Sequence, residues 1–267
     1  MTKFTNYNNF IKVLYKITTK SPFLIKSSET ELSPSTKDSR MLKNAKNVPV
    51  IPGSTMKGFF RGNLERISHI LNISDFGRLF GNNNEGSCIY FSELEPDDLK
   101  TIKYESRSQI AIDRKTLSTK SGALLFLECL SSDVVFKGSI LLRNAGLKAL
   151  AYIYFIILMA NEEMIRLGFN KSRGYGIIEI KPTSIEFNCI DLNKFLFKIS
   201  PSLNDKVTIT IEDKLDNEPL SVNIEVNMNT KSEKDQIILK SLIISDEKGN
   251  EVLNLMQKIY DTVIKRK

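Results

Sequence analysis

The stretch Pro49-Val50-Ile51-Pro52-Gly53-Ser54-Thr55-Met56-Lys57-Gly58-Phe59-Phe60-Arg61-Gly62 is where an irregular chain turns into a helix. Two prolines oppose regular helix before Gly53. Ser54 carries the hydroxyl of an N-cap, which accepts hydrogen bonds from the free N–H groups of a first turn. Beyond it Met56, Phe59, Phe60, Leu64, Ile67 and Leu71 fall on one helical face. Lys57 and Arg61 stand four apart and away from that face, and Gly58 and Gly62 repeat the spacing. Glycine disfavours a helix interior by about 1 kcal/mol relative to alanine. A pair of them points to close approach by another backbone or by a phosphate.

Upstream, Phe10 to Thr18 is rich in β-branched and aromatic residues and predicts a strand entering the core. Residues 20–48 are polar and aperiodic, a long loop. Downstream, Phe76 to Gly86 reads as a turn-rich loop and Cys88 to Phe91 as a short strand. Residues 97–122 read as a second polar insertion. Leu124 to Leu130 and Val134 to Leu142 read as a hairpin closed at Ser131-Ser132-Asp133. Asn144 is placed to cap a helix running to about Arg166, and Ile177 to Ile180 opens a further strand that extends past Pro182. The order β-α-β-β-α-β predicts an α+β fold, a modified ferredoxin-like (RRM-like) core with both helices on one face of an antiparallel sheet. After residue 190 the texture changes. Lys206 to Glu212, Val222 to Met228 and Gln236 to Ile244 alternate like strands, and Leu253 to Ile264 is amphipathic. The expected division is a core domain over 1–190, with insertions at about 20–48 and 97–122, and an appended α+β lobe over 191–267, joined through Ile199-Ser200-Pro201-Ser202.

The 267 residues carry a formal charge of +7, with 41% hydrophobic and 26% charged residues, so a folded core and a polyanionic partner are both expected. Cys88, Cys129 and Cys189 are far apart and no CxxC occurs, which speaks against a zinc knuckle or a disulfide framework and for reduced thiols. The apolar run Ala149 to Ala160 is too short to span a bilayer, and the first residues lack the pattern of a signal peptide. A cytoplasmic protein without membrane contact is the expectation. One histidine, His69, excludes a two-histidine acid–base nuclease and the HExxH class. No P-loop is present. Gly168 to Gly176 lies between a helix and a strand, so it is a basic, backbone-accessible loop with Lys171 and Arg173 rather than a dinucleotide fingerprint, and no small-molecule cofactor is expected.

Four stretches carry a resemblance: Val48-Pro49-Val50-Ile51-Pro52-Gly53-Ser54-Thr55-Met56-Lys57-Gly58 with Phe59-Phe60-Arg61; Leu79-Phe80-Gly81; Ile110-Ala111-Ile112-Asp113-Arg114-Lys115-Thr116 with Glu128; and Leu167-Gly168 to Ser172-Arg173-Gly174-Tyr175-Gly176. In this order, within residues 10–187, they resemble the RAMP superfamily, in particular the Csm-type backbone subunits of type III CRISPR effector complexes. The resemblance implies a cytoplasmic antiviral-defence subunit that assembles with other RAMP subunits, binds guide (CRISPR) RNA and meets target RNA. It implies RNA contacts at Ser54, Lys57, Arg61, Asp113, Arg114, Lys115, Lys171, Ser172, Arg173 and Gly174, and makes residues 97–122 a thumb on the guide–target duplex. It also implies an endoribonuclease whose catalytic and metal-binding residue is Asp38, eleven residues before Pro49. That residue would position Mg2+ or another divalent cation and the attacking 2′-OH. A catalytically silent RAMP paralogue and a guide-processing endonuclease of the superfamily are the alternatives.

Overall fold

The computed structural model describes residues 6–27, 39–71, 73, 76–83, 85–202, 206–215, 219–227, 231–235, 240–247 and 250–265. The elements follow in the order β1 (Asn9–Thr19), α1 (Gly53–Leu71), α2 (Phe76–Phe80), β2 (Ile89–Phe91), β3 (Glu95–Pro96), β4 (Tyr104–Ile112), β5 (Thr119–Leu130) and β6 (Val135–Arg143). They continue with α3 (Leu147–Asn161), β7 (Ile178–Cys189), β8 (Phe195–Pro201), β9 (Lys206–Asp213), β10 (Leu220–Asn227), β11 (Lys231–Asp235), β12 (Lys240–Ser245) and α4 (Asn250–Lys265).

The main sheet runs β11-β12-β7-β1-β6-β2, with β3 also paired to β6. Every ladder in it is antiparallel. Its four middle-to-edge strands β7-β1-β6-β2 have the split βαβ order of the ferredoxin-like fold, as the sequence predicts. β1 explains why the layers form. Ile11, Val13, Tyr15 and Ile17 are buried, while Lys12 and Leu14 between them are exposed, the period-two pattern of a half-covered sheet. The covered face packs under α1, α3 and α4. Phe60 lies edge-on to Phe59 at 5.6 Å and against Phe91 of β2 at 5.2 Å, which seats α1 on the sheet.

Three local expectations need correction. β5 does not pair with β6 as a hairpin; it pairs with β4, in a separate two-stranded hairpin that takes in residues 104–122 of the 97–122 insertion. The sequence hid this because Ile110, Ile112, Leu124 and Phe126 are exposed, so no core-facing alternation marks β4. Ser54 is not the N-cap of α1, which already begins at Gly53. There Pro52 accepts the first helical bond from the Met56 N–H, and a Cβ on residue 53 would collide with the Phe91 carbonyl oxygen. Asn144 does not cap α3 either. The cap position is Gly146, and Asn144, at φ 50°, clamps the chain ahead of β1.

The C-terminal region divides in two. β8, β9 and β10 form their own antiparallel sheet, so 199–201 is strand rather than a joint, while β11, β12 and α4 join the core: β12 pairs with β7 and α4 packs on α3. Tyr260 of α4 stacks on Phe155 of α3 at 5.6 Å.

The buried Asp213, at the end of β9, ties the two parts together. Its side chain accepts from the Leu147 N–H at 2.7 Å and the Leu215 N–H at 3.0 Å, supplying the N-terminal acceptor that Gly146 lacks. Asp213→Ala strands these donors in the interior, so an unfolding free energy lower by about 2 kcal/mol is expected in denaturant titration, within the usual cost of an orphaned buried group. An unchanged midpoint and slope would remove this coupling.

Candidate functional site

The groove facing solvent beside α1 has a volume of about 420 Å³. One wall is the α1 stripe Thr55, Gly58, Phe59, Gly62, Asn63 and Arg66; the other is Leu167, Gly168, Phe169 and Lys171, with Ile25 and Lys26 at the end. The helical wall is an i, i+3, i+4 series, so one face of α1 lines it throughout. A Cβ placed on Gly58 or Gly62 meets nothing within 4 Å. No close contact among the described residues therefore requires either glycine, and the two together leave an open stretch of helix surface.

The opposite wall is fixed by backbone approach. Gly168, at φ 95°, sits where a Cβ would strike the Leu24 carbonyl, and Gly176, at φ 79°, where it would strike that of Leu167. Hydrogen bonds from the N–H groups of Phe169 to Leu24, Gly176 to Pro22 and Leu167 to Gly176 stitch the loop to the segment after β1. Residues 171–173 form a 3₁₀ turn between Asn170 and Gly174, both left-handed. Lys171, Ser172, Arg173 and Gly174 are exposed on it. The buried Asn170 amide nitrogen finds no acceptor within the described residues. Arg166 donates to the Lys171 carbonyl at 2.9 Å.

The structure brings Lys171 to this groove together with Lys26, Asn63 and Arg66, which sequence reading had not singled out. Arg66 is set by a 3.2 Å bond to Asn63, whose amide in turn donates to the Phe59 carbonyl. Extending the Gly58/Gly62 spacing by four residues would have reached Arg66. Ser54, Lys57 and Arg61 are not in the lining; helical spacing carries them round α1 away from it, Lys57 about half a turn from Arg66. Arg173 points instead toward β4, donating to Gln109 at 2.9 Å.

Asp113, Arg114 and Lys115 lie at the tip of the β4–β5 hairpin. The Asp113 carboxylate accepts from the N–H groups of Lys115 and Thr116, at 2.8 and 3.1 Å, and these bonds, Thr116's foremost, hold its carboxyl below the usual carboxylate range. It therefore closes the turn. The hairpin base meets the end of the first loop: Ser39 donates to the Phe126 carbonyl and accepts from the Glu128 N–H. Glu128 is paired with Lys43 at 3.3 Å, and Lys43 also lies over Tyr104. Asp38, the expected catalytic and metal-binding residue, lies outside the described residues, as do Glu29 and Glu31. Among the described residues no group of three or more His, Cys, Asp and Glu side chains is placed to hold a metal ion. The three cysteines are buried and unbridged, and His69 is exposed near the end of α1. Among the described residues no helix is long and apolar enough to cross a membrane.

Residues 16–179 match the family model of the RAMP superfamily, more than half of the chain. This chain belongs to the RAMP superfamily. The matched RAMP segment includes every element that lines the groove. No curated protein matches the chain. A chain in the cryo-EM structure of type III-B Cmr-beta bound to cognate target RNA shares the fold, with a TM-score of 0.51 and 20% sequence identity. The similarity covers 65% of this RAMP protein and 59% of that chain.

Because the α1 glycines border open space, alanine should fit there and gain helix propensity. Gly58→Ala and Gly62→Ala are each expected to raise unfolding free energy by up to about 1 kcal/mol. Denaturant melts of both variants check this, and destabilisation by either would show a contact that the groove geometry lacks.

Proposed function

We propose that this RAMP protein is a guide-RNA-binding subunit of a type III CRISPR effector complex, with RNA phosphates seated in the groove between α1 and the glycine-rich loop. The observation that carries this reading is the open glycine stripe of Gly58 and Gly62, continued by Arg66 on the same wall and facing Lys171 and Lys26. A helix surface without side chains admits a phosphate backbone, and the cations around it supply the counter-charge. Ser54, Lys57 and Arg61 extend the track along α1, Ser172, Arg173 and Gly174 extend it around the loop, and the β4–β5 hairpin reaches out as the thumb on a guide–target duplex, with Arg114 and Lys115 at its tip. Superfamily membership and the fold shared with a chain of a Cmr complex support the reading. Other RAMP subunits are its partners.

In the same proposal the subunit cuts target RNA through Asp38. Mg2+ is bound through few protein ligands and completes its shell with water and phosphate, so one carboxylate beside an RNA strand is a sufficient anchor. When bound, the ion would neutralise charge developing on the scissile phosphate. Asp38 holds the target so that its 2′-oxygen stands in line with the bond to be broken. The 2′-hydroxyl gives its proton to water as its oxygen bonds to phosphorus and the bond to the 5′-oxygen breaks, and the 5′-oxygen takes a proton from water, leaving a 2′,3′-cyclic phosphate and a 5′-hydroxyl.

Binding and cleavage separate experimentally. Lys57→Ala/Arg61→Ala should lower affinity for single-stranded RNA and flatten its log–log salt dependence by about 0.7 per lost contact. An unchanged slope in folded protein removes the α1 stripe from the RNA track. In the assembled complex, Asp38→Ala and Asp38→Asn should bind target RNA like the parent and lose cleavage by orders of magnitude, as should the parent in chelator. Parental cleavage rates in both variants would remove Asp38 from catalysis, and cleavage traced to another subunit as well would leave a silent RAMP paralogue as the reading.

A further inference from the structure

The main sheet has a second face, turned away from α1, α3 and α4, and one corner of it is built in an unusual way. Arg143, on β6, lies between two tyrosine rings, with its guanidinium carbon 5.7 Å from the centroid of Tyr7 and 5.2 Å from that of Tyr90. Both rings are substantially in solvent, at 51% and 41% exposure. Phe10 pairs with Arg143 across the β1–β6 ladder, so the two share this face, and its ring is 5.2 Å from Tyr7. Tyr90 sits beside Leu141 in the β2–β6 ladder, and the exposed Lys12 follows Phe10 on β1.

The cluster is held in place. Asn144 accepts from the Asn8 N–H at 2.7 Å and donates to the Asn6 carbonyl at 2.7 Å, gripping the backbone on both sides of Tyr7. The Asn144 N–H donates to Asn9, and its carbonyl accepts from Arg78. Rings left half in solvent gain little apolar burial from being fixed this way. A ligand that stacks on them does gain, because the ordering cost is met before binding.

We infer that this corner is a second RNA contact, a stacking platform for unpaired bases on the opposite side of the sheet from the glycine-lined groove. The chemistry selects the occupant. Flat rings around a guanidinium offer π and cation–π surface to any base, and stacking is worth more than a neutral contact where a cation lies alongside. Lys12 adds positive charge suited to phosphate; the nearby carboxylate on the face is Glu186, its register partner on β7. At the far end of the face Asp97 is already engaged by Lys16, at 3.0 Å, and by Lys137. The platform spans the two central strands of the ferredoxin-like order, β1 and β6, the part of a four-stranded RNA-binding sheet on which bases stack.

The test uses the full chain and a single-stranded oligouridylate carrying 5-iodouridine. Irradiation should cross-link RNA at Tyr7, Phe10 or Tyr90. Tyr7→Ala/Tyr90→Ala should lower affinity about tenfold or more, the effect of losing at least one base–aromatic stack. Tyr7→Phe/Tyr90→Phe should retain parental affinity, since the ring suffices. The alanine variant should keep the parental salt slope, because stacking releases no counterions, and so differs from the α1 variant, whose slope changes. Parental affinity in the alanine variant, with cross-links confined to the groove residues, overturns the inference and leaves the guide-binding reading untouched. Parental RNA affinity together with lost association between copies or with RAMP partners also overturns it, by making the face a protein contact.

Discussion

The groove exists because two backbone segments come closer than side chains allow. The turn after β1 and the loop before β7 are stitched together at Pro22, Leu24, Leu167 and Gly176, and only glycine at 168 and 176 leaves room. That approach fixes the height of Phe169 and Lys171 opposite α1, and so the width of the cleft. It also carries Arg173 to the hairpin, where it meets Gln109, while Arg107 of β4 lies 5.8 Å from the Tyr175 ring. Loop, cleft and hairpin are thus one mechanical unit, set by a contact that contributes no chemistry of its own.

The two kinds of glycine in the chain divide along this line. Gly53, Gly168 and Gly176 answer to atoms of their own chain, and a side chain at any of them would displace backbone. Gly58 and Gly62 meet nothing within 4 Å among the described residues, while Gly174 is required by its φ of 87° rather than by a neighbour. The α1 pair costs helix stability with no close neighbour among the described residues to call for it.

Much of the fold was legible because it rests on periodicity. β1 alternates cleanly, α1 shows an apolar stripe after a proline–glycine turn, and α3 is apolar nearly all round, matching its burial between sheet and α4. Pairing was less legible. β5 is followed after a short turn by β6, yet joins β4, since partner choice depends on which face finds a core and the outer hairpin face finds none. Capping misled for a related reason: the acceptor for α3 is Asp213, supplied through space by β9 rather than by the polar residue just ahead of the helix. In the groove, the glycine spacing and the basic loop were readable and the spacing carries on to Arg66, whereas Lys26 became visible only when the groove brought three segments together.

The position of β1 bears on how the protein folds. Its neighbours in the sheet are β6 and β7, both far along the chain: Thr18 meets Val135 and Asn9 meets Cys189. β7 in turn waits for β12, and α3 for Asp213. A central strand whose partners lie this far along the chain keeps both hydrogen-bonding edges and its apolar face open until distant segments arrive, and pairing of this kind is slow to form.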